Sequence, residues 1–325
     1  MIRKRNVLLL ASLLVSLLTV YFGGYRFSGK TAAQLQPVHT PELAVAEMRG
    51  RDSRALSDGV ASLDLCGRLT WSGASGNETI ANGAVAAIPV RNGIAYRDRS
   101  DQLFYAHDGT CEKIDEHVAQ IGQFASELVY VTEDHAVWLW NGAEREALAQ
   151  LDAQDRVSAL FGNSQYLILA GDPLYIYQKG SGLRKTEWRC RDASAAFLYG
   201  DDLVLIGFNS AGGEVYHIPT QTVQPLRLGF PTGEKANENT ISVAADAHAV
   251  YLSVCSEECR AWPFYGENTY TGTFRLDPAD WSVERLDEAY HSGLILGKDG
   301  LYAFDSCKHR GTRICAAEIA EKIIE

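Results

Sequence analysis

Basic side chains are scarce in this chain beyond its first 30 residues. That opening stretch holds Arg3, Lys4, Arg5, Arg26 and Lys30 and no acid; the remainder sets 25 bases against 41 acids, a net charge of −16. A domain so acidic repels phosphate backbones, which argues against a nucleic-acid partner and against docking of the whole domain on anionic lipid. Methionine is scarcer still, at 2 residues, while glycine numbers 29. That balance favours many tight turns over helical packing. Signatures of chemistry are missing as well. No Cys-x-x-Cys or nearby histidine pair completes a zinc set. Gly207-Phe208-Asn209-Ser210-Ala211-Gly212 is one residue out of register for a nucleophile elbow, and Asp277, Asp280 and Asp287 do not have the spacing of a calcium loop. Asp134-His135 and His107-Asp108 are adjacent acid–imidazole pairs, both at predicted turns where solvated polar residues are expected. The sequence thus assigns no catalytic residue, no metal and no cofactor.

The N-terminus is basic from Arg3 to Arg5 and then uncharged from Val7 to Phe22; Gly23, Gly24 and Tyr25 extend the run to 19 residues. That is near the roughly 20 residues a helix needs to cross a bilayer, and the preceding bases place the N-terminus in the cytoplasm. A cleavable signal peptide starts in the same way but needs small residues soon after its core. Here the core ends in Val20-Tyr21-Phe22, and Thr31-Ala32-Ala33 lies beyond Arg26 and Lys30. The reading preferred is a retained single-pass anchor, residues 1–25, in the cell (inner) membrane, with the domain extracytoplasmic, in the periplasm or outside the cell. Residues 24–31 match the phosphate-loop pattern, yet lack the strand before and the helix after that the mechanism needs. Thr40-Pro41-Glu42 reads as a helix start, so a short helix from Pro41 to about Met48 is expected in a stalk over 26–56.

From about residue 57 to 325 the pattern is strand and turn. An aromatic-centred phrase recurs, weakly in its first copy, at Trp71, Phe104, Trp138, Tyr175, Tyr216, Phe274 and Ile314, with steps of 33, 34, 37, 41, 58 and 40 residues. A period near 40 built of short β phrases is what radially repeated four-stranded sheets produce. In three copies a strand residue sits eight before the phrase, at Tyr96, Tyr130 and Leu167, with turn formers between: hairpin chemistry. A polar strand follows each phrase, suited to an outer edge that must not invite pairing. Small apolar runs such as Val157–Phe161 and Ala195–Leu198 suit an innermost strand on a crowded axis. The expectation is an all-β propeller of about seven blades, with six or eight as alternatives, and with a sandwich pair or solenoid as the competing architectures.

Leu128-Val129-Tyr130-Val131-Thr132, followed by Val137-Trp138-Leu139-Trp140, resembles the Tyr-Val-Thr-Asn propeller repeat, with Glu133 in place of the asparagine. Thr271 to Asp277, with Asp280-Trp281 and Leu286, is similar to repeats of quinoprotein-type propellers. Each likeness covers one blade, implies a β-propeller and carries over no functional residue.

All seven cysteines lie in the part expected outside the cytoplasm, where disulfides persist. Cys255 with Cys259 and Cys307 with Cys315 each bracket a polar stretch, and two local disulfides are expected; at least one of Cys66, Cys111 and Cys190 then stays unpaired. The long step before Phe274 marks an insertion whose Trp262, Phe264, Tyr265 and Tyr270 form a candidate binding loop. The function these features favour is a membrane-anchored extracytoplasmic propeller acting as a protein-interaction or envelope-assembly module, its partner a protein. A hydrolase or lyase with an axial site, and a small-ligand sensor, are the competing readings.

Overall fold

A computed structural model describes residues 29–56, 58–187, 195–207, 212–229, 237–258 and 269–315. Seven antiparallel sheets follow one another along the chain, over residues 52–82, 84–115, 118–150, 156–185, 196–227, 237–287 and 294–315. Within each sheet the strand order is the chain order, and the first strands of successive sheets face one another round a common axis. Seven buried apolar clusters lie among the described residues, one at each junction between neighbouring sheets, including the last with the first. The ring is closed. This is a seven-bladed β-propeller.

The repeats map onto it strand for strand. Trp71, Phe104, Trp138, Tyr175, Tyr216, Phe274 and Ile314 all fall on the third strand of their blade. The eight-residue offset is a direct cross-strand pairing for Tyr96 with Phe104 and Tyr130 with Trp138. In blade 4 the hairpin is tighter, so Tyr175 faces Leu169 and Leu167 faces Tyr177. The polar fourth strands, such as Gly76–Asn82 and Thr110–Asp115, are largely exposed, and the small apolar runs supply the innermost strands Arg156–Gly162 and Ala196–Tyr199. Turns between second and third strands are held by aspartates. Asp64 Oδ1 accepts the N–H groups of Cys66 and Arg68 at 2.9 and 2.8 Å, and Asp98 Oδ1 those of Ser100 and Gln102 at 2.8 and 3.0 Å. This is the local bonding that lets aspartate stabilise a turn.

The segment expected to be a stalk is part of the ring. Lys30 exchanges two backbone hydrogen bonds with Gly311, at 3.0 and 2.8 Å, on the outer edge of blade 7, which has three strands of its own among the described residues. A four-residue helix, Ala32–Leu35, then buries Ala32 and Leu35 between blades 7 and 1. Next the chain turns into the axis and runs antiparallel to the innermost strands. Val38 N–H bonds Leu296 of blade 7 at 2.8 Å, the Thr40 hydroxyl bonds Ala245 O of blade 6 at 2.5 Å, and Leu43–Val45 pairs with Tyr199–Phe197 of blade 5. Glu47 then accepts Ile121 N–H of blade 3 at 3.2 Å, and Met48 exchanges bonds with Ala87 of blade 2 at 2.7 and 3.1 Å.

The helix expected over Pro41–Met48 is therefore a turn followed by a strand. Eight residues are too few to hold a helix on propensity alone. Pairing with the free edge of blade 5 satisfies the same backbone groups, and Thr40 spends its hydroxyl on Ala245 instead of capping. Asp52–Leu56, also assigned to the stalk, is the innermost strand of blade 1. Residues expected to form the membrane anchor lie outside the described ones. Among the described residues no helix is long and apolar enough to cross a membrane.

Candidate functional site

The threaded chain decides what the axis can do. Between Val38 and Met48 it leaves two separate spaces, of about 80 and 120 Å³. A site for a glycan or peptide needs roughly 300 Å³ or more. Among the described residues the axis offers a hydrolase or lyase no space of that size. The second space is lined by charges that are already matched: Arg54 donates to Asp52 at 2.8 Å, and Arg49 Nε donates to Glu47 at 2.6 Å. Burial pushes the carboxyls of Glu47 and Asp52 up from their ordinary range, with the neighbouring arginines opposing the shift.

That gives a pH prediction. The unfolded chain loses the Glu47 proton at a lower pH than the folded chain does, so folding stability falls as pH rises between those two values. Glu47→Gln keeps an acceptor for Ile121 N–H and removes the ionisation. Relative to the parent, it is expected to gain stability on going from acid to neutral pH. Urea midpoints across that range check this; a constant difference at every pH would contradict it.

The largest described concavity, about 450 Å³, is a groove between blades 1 and 2 at the end of the ring where first strands turn into second ones. Trp71 on the third strand of blade 1 and Glu78 and Thr79 on its fourth form one wall. The turn Arg91-Asn92-Gly93 and the turn His107-Asp108-Gly109 of blade 2 form the other. Arg91 has φ of 54°, and a Cβ on Gly93 would lie 2.7 Å from the Tyr105 ring and 2.5 Å from Ala106 O, so only glycine lets the two turns meet. Their meeting is hydrogen-bonded throughout. Tyr105 donates to Asn92 Oδ1 at 3.1 Å, Asn92 Nδ2 donates to His107 Nε2 at 3.0 Å, and His107 Nδ1 donates to the Asn92 carbonyl at 2.9 Å. A carbonyl only accepts, so Nδ1 carries a proton here, while Nε2 lies between Asn92 Nδ2 and the Asp108 carboxylate, 3.1 Å away. The ring also lies over Tyr105, with centroids 6.3 Å apart. Burial raises the Tyr105 hydroxyl's pKa, keeping it a donor.

This wall presents polar atoms in fixed positions but holds no activated nucleophile. The Cys111 thiol at its edge contacts Tyr96 OH at 3.3 Å, and the Thr110 hydroxyl is given to His107 O at 2.6 Å. Asp134 accepts the Thr132 hydroxyl at 2.5 Å in an exposed turn, and His135 is in that turn with φ of 66°. Ser72 lies 3.5 Å from His309 Nδ1, but it is 1% exposed and out of reach of any substrate. Asp202 meets His217 Nδ1 at 2.7 Å and accepts the Trp281 indole N–H at 2.9 Å, which links blade 5 to blade 6. Lys30, the lysine of the phosphate-loop match, pairs with Asp299 and lies over the Tyr302 ring.

The cysteine and loop expectations fare unevenly. Cys307 and Cys315 are both free thiols. Cys307 sits in the turn after Gly300–Asp305, whereas Cys315 ends the next strand opposite Leu301. At roughly 3.3 Å per residue that strand separates them by about 17 Å, against about 5.5 Å for a bridge. The bracketing spacing counted residues but missed where the turn falls. Val250–Glu258 runs as one strand through Cys255, and Cys259 lies outside the described residues, as does Cys190. Cys66 and Cys111 are exposed and unbridged. Trp262, Phe264 and Tyr265 also lie outside the described residues. Tyr270 does not belong to a loop: it pairs with Ser256 on the third strand of blade 6 and packs on the core between blades 5 and 6. The long step before it comes partly from three nine-residue strands, Asn237–Ala245, Val250–Glu258 and Thr269–Asp277, against four to seven residues in the other blades.

No protein-family model matches the chain, and no curated protein matches its sequence. Among solved structures it is similar to the computationally designed Ika8 protein, at 12% identity over 89% of this chain and 96% of that one, with a TM-score of 0.46. BamB from Moraxella catarrhalis shares 10% identity over 83% and 94% of the two chains, with a TM-score of 0.45. The tricorn protease shares 7% over 77% of this chain, with a TM-score of 0.36, and the match spans 27% of its length. Likenesses this distant bring no activity or partner to the present chain.

Proposed function

We propose that this protein is a membrane-anchored, extracytoplasmic interaction module that takes a segment of a partner protein into the groove between blades 1 and 2. The observation that carries the proposal is the filled axis. A propeller whose channel holds its own chain has only its faces and clefts left to offer, and this groove is the largest cleft described. Its fixed donors and acceptors beside the Trp71 ring are the combination that orients an extended peptide: apolar area for affinity, placed polar groups for register. The acidic surface argues for a protein partner over a nucleic acid. The anchor rests on the uncharged run from Val7 to Tyr25 and the bases before it.

Asn92→Ala with His107→Ala removes the wall's polar face while leaving the buried clusters intact. Affinity for a partner isolated by crosslinking to the intact protein is expected to fall at least tenfold, with the melting temperature within a few degrees of the parent. Trp262→Ala with Tyr265→Ala tests the candidate loop in parallel. If that pair abolishes binding and the groove pair leaves it unchanged, recognition belongs to blade 6. A small-ligand sensor would show instead a thermal shift with a metabolite mixture that the groove pair removes.

A further inference from the structure

The uncharged run ends at Tyr25, and the chain is already built into the propeller at Gly29 and Lys30: Arg310 donates to Gly29 O at 2.9 Å, and Lys30 pairs with Gly311. Only residues 26–28 lie between Tyr25 and Gly29, and the four steps from one to the other reach at most about 14 Å when fully extended. Resting on the anchor reading above, we propose that the outer edge of blade 7 faces the bilayer surface, so that the disk stands on its rim with blades 3 and 4 pointing away.

Charge is compatible with this orientation, but it is the tether that selects it. The domain as a whole is too acidic to be drawn to anionic lipid. Blade 7 is locally different: over residues 294–315, Lys298, Lys308, Arg310 and Arg313 outnumber Asp299 and Asp305, a net +2. Blade 4, across the ring, carries +3 over residues 156–185, from four bases and Asp172, so electrostatics alone would not distinguish the two rims. The tether does, because a point held about 14 Å from the headgroups lies close to the range over which charge is felt at physiological salt, about 8–10 Å. On this rim the exposed Arg313, donating to the carbonyls of Asp299 and Cys315, and the half-buried Arg310, donating to Gly29 O, bring positive charge to the headgroup side, while Lys30 is paired with the Asp299 carboxylate. The groove between blades 1 and 2, about a fifth of a turn from blade 7, then sits near mid-height of the disk and opens parallel to the membrane, within reach of a partner that is itself membrane-bound.

The test uses the full chain reconstituted in vesicles of phosphatidylcholine and phosphatidylglycerol. One fluorophore is placed at Cys307, exposed in the blade 7 turn, or at Ser181→Cys, exposed in the blade 4 turn, each in a background with the remaining cysteines changed to serine. A headgroup-attached quencher is expected to dim the Cys307 label at least threefold more than the Ser181→Cys label. Arg310→Glu with Arg313→Glu should reduce that difference without releasing protein from the vesicles. Equal quenching at both positions, with the protein still floating with the vesicles, overturns the orientation alone. Protein that fails to float with the vesicles overturns the anchor and the orientation together.

Discussion

Leu35→Ala and Met48→Ala are each expected to lower the unfolding free energy by about 2–5 kcal/mol, the range for a large buried aliphatic side chain cut to alanine. Both residues are fully buried, and they lie in different clusters, Leu35 between blades 7 and 1 and Met48 between blades 1 and 2. Side chains without shared partners add, so the double variant is expected to lose about 4–10 kcal/mol, close to the whole stability of an ordinary domain. Urea unfolding of the two single variants and the double variant checks this. A stalk merely resting on the propeller would give losses under about 1 kcal/mol for each, the size usual for surface substitutions. The axial segment also places Ala44 in the core between blades 4 and 5 and packs Leu43 and Val45 against that between blades 5 and 6. Its removal would therefore be felt at most of the ring's junctions.

The second large effect comes from a single missing methyl group. A Cβ at Gly122 would lie 2.4 Å from Leu160 Cβ and 2.6 Å from Leu160 O. Gly122 is on the innermost strand of blade 3, Val118–Phe124, and Leu160 on that of blade 4, where the blades converge and strands come nearest. Overpacking a core costs about 1–3 kcal/mol when side chains can shift. Here the opposing atoms include backbone fixed by pairing on its other side, so Gly122→Val is expected to lose at least about 3 kcal/mol. Gly122→Ala should lose less. Melting curves of the two variants should fall in that order, and a valine variant as stable as the parent would show that the inner strands are not in contact.

The sequence carried the blades well because each is local. An aromatic on the third strand, a hairpin partner eight residues earlier and a polar edge strand after it all lie within about 40 residues of one another. Tyr130 facing Trp138 is the plainest case. What escaped was whatever depends on distant partners. Leu43-Ala44-Val45 is too short to show a period, and its strand character comes from Phe197–Tyr199, some 150 residues on. The cysteine spacing misled for the opposite reason, since Cys307 and Cys315 are near in sequence yet at opposite ends of one strand. The groove was half legible: His107-Asp108 stood out as a pair, but Asn92 and Tyr105, which orient the imidazole, gave no signal, and Trp71 reaches the same groove only because blades 1 and 2 are neighbours in the ring.

The threading of the axis also sets an order of events in synthesis. The Arg310 side chain that holds Gly29 is 281 residues away, and the edge that receives Lys30 is the third strand of the seventh blade. Gly29 and Lys30 can find their final place only after nearly all of the blades have been made. Contacts of such separation are slow to form, because a long loop must close before they are rewarded. Thr40 to Met48 can pair with blades 6, 5, 3 and 2 before the seventh exists, but Gly29 to Val38, and with them closure of the ring, must wait for it. A chain interrupted before blade 7 leaves Gly29 to Val38 unplaced and the flanks of blades 6 and 1 uncovered, which makes late truncations far more damaging than their length suggests.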